Sequence, residues 1–523
     1  MEFRKGDWQG PYLTMLSLAQ QTRDPRLARR AAEMAVAGKQ ADDALAAIKL
    51  WRQLDPASDE ATQYYLGLVT MSENIAEAEP IIRQKLEQAP TPSARAAVLF
   101  QAQQMLLRAR DKEAAGPMLD RLVAPYANTL EGHVVLSQSA LARGDKAAAV
   151  REAQAALAAK PDSELAVLTL AQAIEDEAKI DELLGKFVAA HPNAREVRAA
   201  RARVLVNQKQ FDKARREFEV LLKDQPDNAA TLYALGILST QMQDNKAAEQ
   251  YFTKFVDVVT QNPEDERDPS RALLILSQLA EERHDLKAAL EWVDRIESDD
   301  PKTQMSATLR RAQLMGKQGD VDGARKLLQS LQPGEPSEQA QVILAEAQVM
   351  RDAGRVLEAY QLMLGASHKF QNNPDFLYDF ALLAEKAGQM DVMEKALRQV
   401  IQQAPDNHHA YNALGYSLAE RNVRLPEAFE LIDKAMKMAP GDPFIMDSMG
   451  WVQYRMGNLK EAEVHLRRAY AMRSDPEIAV HLGEVLWQQG RQADARKLWG
   501  EAKAKDPQND ALRDTLARLH LSL

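Results

Sequence analysis

Few side chains in the sequence are spaced in a way that would let them catalyse a reaction or bind a metal ion together. The nine histidines are scattered; only His408 and His409 are adjacent, and neighbouring helical positions are not expected to face one site. The chain has no cysteine, which removes thiolate metal sites, disulfides and thiol nucleophiles. It also lacks HExxH, GxSxG, a P-loop and a GxGxxG that opens a helix. We therefore predict no catalysis, no cofactor and no metal ion, and we interpret the many carboxylates as solvated surface.

Composition predicts a soluble, nearly all-helical protein. The 523 residues include 66 Lys and Arg against 76 Asp and Glu, a net charge of −10. A general nucleic-acid or anionic-membrane surface is therefore not expected, although a local basic patch stays open. Ala, Leu, Gln and Glu, which favour helices, are abundant. The longest apolar runs, such as Ala272–Leu276, have five residues, far below the roughly 18 that a membrane-spanning helix needs.

One motif recurs along the chain and determines where any functional side chains must lie. Prolines, each expected to close a helix, follow short patterns anchored by alanine. The 482 residues from Pro25 to Pro507 contain 14 such intervals, a mean of about 34 residues. That period, with paired amphipathic helices, is typical of the tetratricopeptide repeat. The prolines are Pro25, Pro56, Pro90, Pro125, Pro161, Pro192, Pro226, Pro263, Pro301, Pro336, Pro374, Pro405, Pro440, Pro476 and Pro507.

Small residues at fixed places in each repeat predict close helix packing. Glycines in the first helix should let the two helices of a pair approach, and alanines in the second helix should do the same. The turn between the helices is marked by Gly-Asp or Gly-Asn. The positions are Gly415, Gly450 and Gly483, then Ala428, Ala462 and Ala495, and for the turns Gly144-Asp145, Gly319-Asp320 and Gly457-Asn458.

A single helix pair cannot bury its apolar face, so neighbouring pairs must stack. We predict an all-α fold in which residues 1–523 form one right-handed superhelix of about 14 helix-turn-helix units. Residues 1–25 are a partial first repeat and 406–523 the best-matching repeats. Bends are expected at the short unit between Pro161 and Pro192, at the polar loop 261–270, and where Arg198 and Arg201 replace apolar residues.

The N-terminus resembles a cut repeat, because Gly6-Asp7 looks like the turn inside a helix pair. We expect an upstream helix, together with any targeting segment, to precede Met1. The alternative is a naturally short cap.

The default binding surface of such an array is the inner face, formed by positions 2, 5, 9, 12 and 13 of each first helix. Among the C-terminal repeats we select positions rich in aromatic and Arg side chains, which protein interfaces favour. They are Asn412, Tyr416, Asp447, Trp451, Tyr454, Arg455, Glu484, Trp487 and Gln488; Glu420, Phe444 and Glu477 share the same register. The alternative for Trp451 and Trp487 is packing between repeats.

A second set of candidates lies near the start of the chain. Arg26, Arg29 and Glu33 follow the same inner register and could clamp an acidic segment of a partner. The alternative is a solvated charged face. The Lys and Asn set that binds chaperone C-termini across three successive repeats is not found, so that role is disfavoured.

Two blocks carry a closer resemblance. One is TRDPRLARRAAEMA (residues 22–35) followed by LWRQLDP (50–56), and the other runs from Asp442 to Trp499. Together they resemble the tetratricopeptide-repeat outer-membrane lipoproteins of Gram-negative bacteria, a family that includes the binding partner of a periplasmic carboxyl-terminal processing protease. The resemblance spans almost the whole chain.

The resemblance implies a non-catalytic adaptor on the periplasmic side of the outer membrane. Its protein partners would be the processing protease and that protease's substrates, the peptidoglycan hydrolases. Membrane attachment would come only from a lipid anchor, whose lipobox cysteine is not in this sequence. The alternatives are a cytoplasmic scaffold for another protein complex, and a regulatory arm whose catalytic domain lies outside these residues.

Overall fold

The structure is a computed structural model that describes residues 8–72, 74–262 and 264–523. These residues form thirty α-helices and two short 3-10 helices, Ile75–Glu77 and Ala124–Tyr126, and contain no strand. The predicted all-α fold is confirmed. None of the described helices combines the length and the apolarity needed to cross a lipid bilayer.

The chain divides into two compact units, residues 1–258 and 259–523. The helices that begin in the first unit are α1 (Gln9–Thr22), α2 (Pro25–Ala37), α3 (Ala41–Leu54), α4 (Asp59–Thr70), α5 (Ala78–Gln88), α6 (Pro92–Leu107), α7 (Lys112–Val123), α8 (Leu130–Ala142), α9 (Lys146–Ala159), α10 (Glu164–Ala173), α11 (Glu177–Ala190), α12 (Arg195–Asn207), α13 (Phe211–Asp224), α14 (Ala229–Gln241) and α15 (Asn245–Gln261).

The second unit continues in the same way. Its helices are α16 (Ser270–Glu282), α17 (Leu286–Asp294), α18 (Pro301–Lys317), α19 (Val321–Gln329), α20 (Pro336–Asp352), α21 (Val356–Ser367), α22 (Pro374–Lys386), α23 (Met390–Gln403), α24 (His408–Glu420), α25 (Leu425–Met438), α26 (Pro443–Arg455), α27 (Leu459–Met472), α28 (Pro476–Gln488), α29 (Gln492–Lys505) and α30 (Asp510–Arg518).

The helices follow one another as first and second members of pairs, from α2 with α3 to α28 with α29. This gives fourteen pairs, the predicted number, with α1 before the first pair and α30 after the last. Helix α1 occupies the predicted partial repeat, whereas the expected Gly6-Asp7 turn lies outside the described residues. The right-handed superhelix through both units stays a prediction.

The small residues do what their positions predict. A Cβ added to Gly415 would lie 2.6 Å from Ile432 Cγ1, and one added to Gly450 would lie 2.5 Å from Leu466 Cγ. At Gly483 the Cβ would collide with the Trp499 indole. The turn glycines Gly144, Gly319 and Gly457 have φ of 79°, 96° and 87°, which side chains disfavour. The alanines Ala428, Ala462 and Ala495 are fully buried.

The prediction that the prolines close helices is only partly right. Pro56, Pro161, Pro192, Pro226, Pro405, Pro440 and Pro507 do lie in turns just after a helix. Pro25, Pro301, Pro336, Pro374 and Pro476 instead begin the next helix. The first helical position suits proline because its backbone needs no N–H donor there and its φ is already helical. Pro90 also follows a helix, Pro125 lies inside the 3-10 helix Ala124–Tyr126, and Pro263 lies outside the described residues.

The sequence irregularities behind the three predicted bends are present in the helices and loops, whereas the bends themselves stay a prediction. Helix α15 ends at Gln261 and α16 begins at Ser270, as the polar loop requires, and α10 has only ten residues. Arg198 and Arg201 do not pack as apolar residues would: both bind Glu217, at 2.5 and 2.8 Å, and Arg201 Nε also lies 2.7 Å from Asp181. Ion pairs between α11, α12 and α13 therefore replace part of the apolar packing.

Candidate protein-binding face

The predicted inner positions of the last repeats meet in one polar group of side chains on the first helices α24, α26 and α28 and on α30. We call this group the inner-face cluster. Its members are Tyr416, Glu420, Asp447, Trp451, Tyr454, Glu477, His481, Glu484 and Arg518. Each first helix contributes side chains one to two turns apart, which places them on a single face.

His481 lies at the centre of the inner-face cluster. Its Nδ1 donates to Asp447, 2.9 Å away, and its ring stacks on Trp451 with centroids 4.2 Å apart and planes at 23°. The Tyr416 hydroxyl lies 3.5 Å from His481 Nε2 and donates to Glu477 at 3.2 Å. Three successive first helices are therefore joined through one imidazole.

The electrostatics keep this imidazole charged. Burial lowers the pKa of His481, but the Asp447 carboxylate at hydrogen-bond distance, helped by Glu477 and Glu420, outweighs burial and raises the pKa to about 9. Burial, with the charges of Glu477 and Asp447, also raises the pKa of Tyr416 well above its usual value. His481 is therefore an imidazolium at neutral pH, and Tyr416 remains a hydrogen-bond donor.

Glu484 organises the other half of the inner-face cluster. Its carboxylate has no exposed surface and accepts bonds from both terminal nitrogens of Arg518, at 2.5 and 2.7 Å. It also accepts a bond from the Tyr454 hydroxyl at 2.9 Å, and burial followed by the charge of Glu484 raises the pKa of Tyr454 to about 12. The bidentate Arg518–Glu484 pair joins α30 to α28.

Several predicted binding residues are internal. Trp451 is only 1% exposed, and its Nε1 donates to Glu420 at 2.6 Å. Trp451 therefore packs between repeats, as the alternative interpretation of the sequence predicted. Asp447 and Glu484 are similarly buried. These three side chains hold neighbouring helices in register and do not present contact surface.

Other predicted residues surround the inner-face cluster and remain accessible. Gln488 is exposed, and Trp487 is half-buried against Trp499, with centroids 5.6 Å apart. Arg455 is also half-buried and donates to the carbonyls of Ala419 and Glu420, at 3.1 and 2.9 Å. Asn412 is half-buried, with an enclosed Oδ1 that makes no hydrogen bond within the described chain.

We call the accessible part of this face the platform, defined as Phe444, Arg455, Glu477, Trp487 and Gln488. Phe444 is 46% exposed, unusual for a phenylalanine, and the Arg473 guanidinium lies 5.1 Å from its ring centroid. The platform combines two aromatic side chains with both signs of charge.

The N-terminal candidates are paired with each other and with neighbouring residues. Arg26 binds Asp24, the N-cap of α2, at 2.8 Å. Arg29 binds Glu33 at 3.1 Å and Glu60 at 2.9 Å, and its guanidinium lies 5.7 Å from the Trp51 ring centroid. All these pairs are at the surface, which is the geometry of the solvated charged face. A clamp on an acidic partner would have to exchange these bonds.

Sequence reasoning missed His481 and Arg518. His481 stands at position 6 of its repeat, outside the inner register, but it follows Glu477 by four residues and precedes Glu484 by three, so the three share a helix face. That spacing was an available signal. Arg518 lies on the unpaired last helix, where the repeat register no longer applies.

The expectation that His408 and His409 would not face one site is wrong. Their ring centroids are 4.0 Å apart, and the ligand atoms of His408, His409 and Asp442 lie within 4.8 Å of one another. The two histidines occupy the first turn of α24, where no preceding turn keeps side chains apart. Asp442 caps α26 through bonds from the N–H groups of Phe444 and Ile445.

Comparisons with known proteins agree with this repeat. The tetratricopeptide repeat family model matches residues 199–266, 378–443 and 448–510. The helix pairs within these three segments therefore match the tetratricopeptide repeat, and the all-helical paired arrangement continues through the other described residues. The chain is also similar to a TPR repeat-containing protein of Pseudomonas aeruginosa, with 48% identity over 127 residues. That match spans 24% of this chain and only 22% of the relative.

Solved structures with similar helices include a thermophilic TPR protein of Thermus thermophilus, at 23% identity and a TM-score of 0.32. That similarity covers 35% of this chain and all of the other. The Cut9–Hcn1 hetero-tetramer of the APC/C is similar at 14% identity and a TM-score of 0.34, over 84% of this chain and 98% of that one. Scores at this level do not describe a shared overall arrangement.

Proposed function

We propose that this chain of tetratricopeptide repeats is a non-catalytic scaffold that binds other proteins through the first helices of its repeats. One observation carries the proposal: the buried members of the inner-face cluster, Asp447, Trp451, His481 and Glu484, join three consecutive first helices, while the platform stays accessible. A surface fixed before binding loses little conformational freedom when a partner docks. Exposed Phe444 and half-exposed Trp487 are aromatic side chains, a type that is enriched at protein interfaces.

We further propose, from the resemblance carried by residues 22–56 and 442–499, that the partners are a periplasmic carboxyl-terminal processing protease and its peptidoglycan-hydrolase substrates. The chain would then work on the periplasmic side of the outer membrane, held by a lipid anchor encoded upstream. Holding an enzyme and its substrate on one scaffold replaces a bimolecular encounter by an intramolecular one, which raises their effective concentration.

A reconstitution tests the adaptor role. The purified processing protease is mixed with a purified wall hydrolase, with and without this chain, and cleavage of the hydrolase is followed over time. We expect the chain to accelerate cleavage, and Phe444→Asp to reduce that acceleration because a charge replaces an exposed aromatic contact. The matched control is Val464→Asp, which changes a 66% exposed side chain on the second helix α27.

Equal cleavage rates with and without the chain would contradict the adaptor role. Capture of binding partners by this chain from the fractions of a Gram-negative cell distinguishes the periplasmic adaptor from the cytoplasmic scaffold. Recovery of a processing protease or wall hydrolase from the envelope fraction supports the periplasmic role, whereas recovery of cytosolic assemblies alone would favour the cytoplasmic scaffold.

A further inference from the structure

A second accessible surface lies in the first unit, between the first helices α4 and α6. The cleft there has a volume of about 530 Å³, within the range of roughly 300–1,000 Å³ that ligand pockets span. Leu66, Ile82 and Ala102 form buried parts of its wall, and Val98 and Met105 are half-buried. Met71, at 56% exposure, stands at its mouth. Methionine side chains adapt easily to the shape of an apolar ligand.

Gly67 keeps this cleft open. Counted from the N-cap Ser58, it occupies position 9 of its repeat, the inner position that Tyr416 and Trp451 fill in later repeats. A Cβ added to Gly67 would meet nothing within 4 Å, whereas one added to Gly236 or Gly415 would collide with the second helix of the pair. Glycine is a poor helix former, and at position 67 no close helix contact requires it. Its effect is to leave space on the inner face.

The rim of the cleft is polar and its charges have one sign. Lys85 and Arg108 are the only ionisable side chains among the described residues that line it, and both are cationic. Lys85 is bound to Asp59 at 2.7 Å, but Arg108 is exposed and makes no ion pair with any described residue. An incoming carboxylate would therefore find an available guanidinium at one end of an apolar surface.

Three glutamines complete the rim. Gln63, Gln101 and Gln104 are exposed, and their side chains form no hydrogen bond within the described residues. Each amide offers both donors and an acceptor, which match the N–H and C=O groups of a peptide backbone. The apolar walls, the amide groups at the rim and the one available cation together complement the side chains, backbone and carboxylate of an extended peptide.

We propose that this cleft binds an extended segment of a partner protein that carries apolar side chains beside an aspartate, a glutamate or a terminal carboxylate. The apolar side chains enter between α4 and α6, the backbone lies along the three glutamines, and the carboxylate binds Arg108. The inference rests on the proposed scaffold function and adds a second binding site in the other unit, with its own ligand chemistry.

The test starts from a random peptide library displayed on phage and selected on the full chain. We expect the enriched peptides to combine Leu, Ile, Phe or Met with acidic residues. One enriched peptide is then synthesised with a fluorophore, and its affinity is measured by anisotropy. Gly67→Leu should weaken binding at least about tenfold, because the new side chain occupies the space that an apolar residue of the peptide would fill. Arg108→Glu should weaken it comparably.

Two further variants keep the result interpretable. Gly365→Leu changes a helical glycine on α21 that also has nothing within 4 Å, so it should leave binding unchanged. Met71→Glu places a carboxylate at the mouth of the cleft on an exposed position. It should weaken binding without affecting folding, which circular dichroism checks for every variant. Failure to enrich any peptide, enrichment of basic peptides, or undiminished binding to Gly67→Leu and Met71→Glu would overturn the proposal.

The outcome is separable from that of the adaptor experiment. A chain that accelerates hydrolase cleavage but binds no acidic apolar peptide retains the scaffold function and loses this site. A chain that binds the peptides through Gly67 and Arg108 but does not accelerate cleavage retains the site and loses the proposed partners.

Discussion

His481 and Asp447 form a buried ion pair between consecutive repeats: His481 Nδ1 lies 2.9 Å from Asp447 Oδ2, and both side chains are almost entirely enclosed by α26, α28 and the Trp451 ring. Enclosing two charges costs solvation energy, but for the His481 proton the attraction of Asp447, helped by Glu477 and Glu420, outweighs that cost. We interpret this ion pair as a device that fixes the relative rotation of two first helices, and hence the shape of the platform.

The His481–Asp447 pair predicts a fall in stability at alkaline pH. Unfolded His481 loses its proton near pH 6.5, whereas the folded protein holds it up to about pH 9. The folded state therefore binds this proton more tightly. The pair's contribution to the free energy of unfolding is fully present below about pH 6.5 and is lost as the pH rises through about 9.

Thermal unfolding measured between about pH 6 and pH 9.5 checks this prediction. The wild-type melting temperature should decline across that window, and His481→Gln should remove most of the decline. The control is His368→Gln, which changes an exposed histidine of the same unit and should melt with the wild-type profile. Identical slopes for wild type and His481→Gln would show that the pair does not titrate in this window.

Arg518→Ala should destabilise the C-terminal repeats more than the substitution of a partly exposed residue usually does. It leaves the fully buried Glu484 carboxylate without its cationic partner, and breaking a buried pair costs about 3–5 kcal/mol. Because the Arg518 side chain is 46% exposed, we expect a loss near the lower end, about 3 kcal/mol. Urea unfolding followed by tryptophan fluorescence measures the change.

The control for this measurement lies on the same helix. Arg513 pairs with Asp510 and Asp514, all three largely exposed, so Arg513→Ala should change the free energy of unfolding by less than about 0.5 kcal/mol. Adding Glu484→Gln to Arg518→Ala should recover part of the loss, because the uncompensated charge is gone. Equal effects of the two arginine substitutions would mean that Glu484 is solvated after all.

Gly483→Ala and Gly500→Ala should have opposite effects although both add one methyl group within the same helix pair. At Gly483 the methyl group collides with the Trp499 indole, and overpacking costs about 1–3 kcal/mol. At Gly500, on α29, it meets nothing within 4 Å, so the better helix propensity of alanine should stabilise by up to about 1 kcal/mol. Thermal unfolding of the two variants gives the comparison, and a neutral Gly483→Ala would show that α28 and α29 are not in close contact.

The sequence predicted the repeat well because the small residues and turns that recur about every 34 residues are required by contacts within one helix pair. Gly415 and Gly483 mark helix crossings and Gly144 marks a turn, and each requirement involves only one pair of helices. The prediction that each proline closes a helix was only partly right, because it too depended on local spacing alone. Pro301 and Pro476 come after one helix and are the first residues of the next, and spacing alone does not separate a proline that follows a helix from one that begins a helix.

The inner-face cluster was harder to predict because its contacts join different repeats. Asp447 and His481 are 34 residues apart and occupy positions 5 and 6 of their repeats, so their meeting depends on how far each first helix is rotated. The register placed Tyr454 and Glu484 on the same face, where they are hydrogen-bonded to each other, but it did not show that Glu484 is enclosed, and their role in binding a partner stays a prediction. Whether a polar side chain is covered by the next repeat is decided by three-dimensional packing.

The most direct test of the central claim, that partners dock on the first helices, is site-specific photo-crosslinking in the native cell. A photoreactive phenylalanine analogue replaces Phe444, on the first helix α26, or Val464, on the second helix α27 of the same pair; both sites are exposed. We predict that position 444 crosslinks to a processing protease or a wall hydrolase and that position 464 does not. Crosslinks to those partners from position 464 alone, or no crosslinked protein at position 444, would contradict the account.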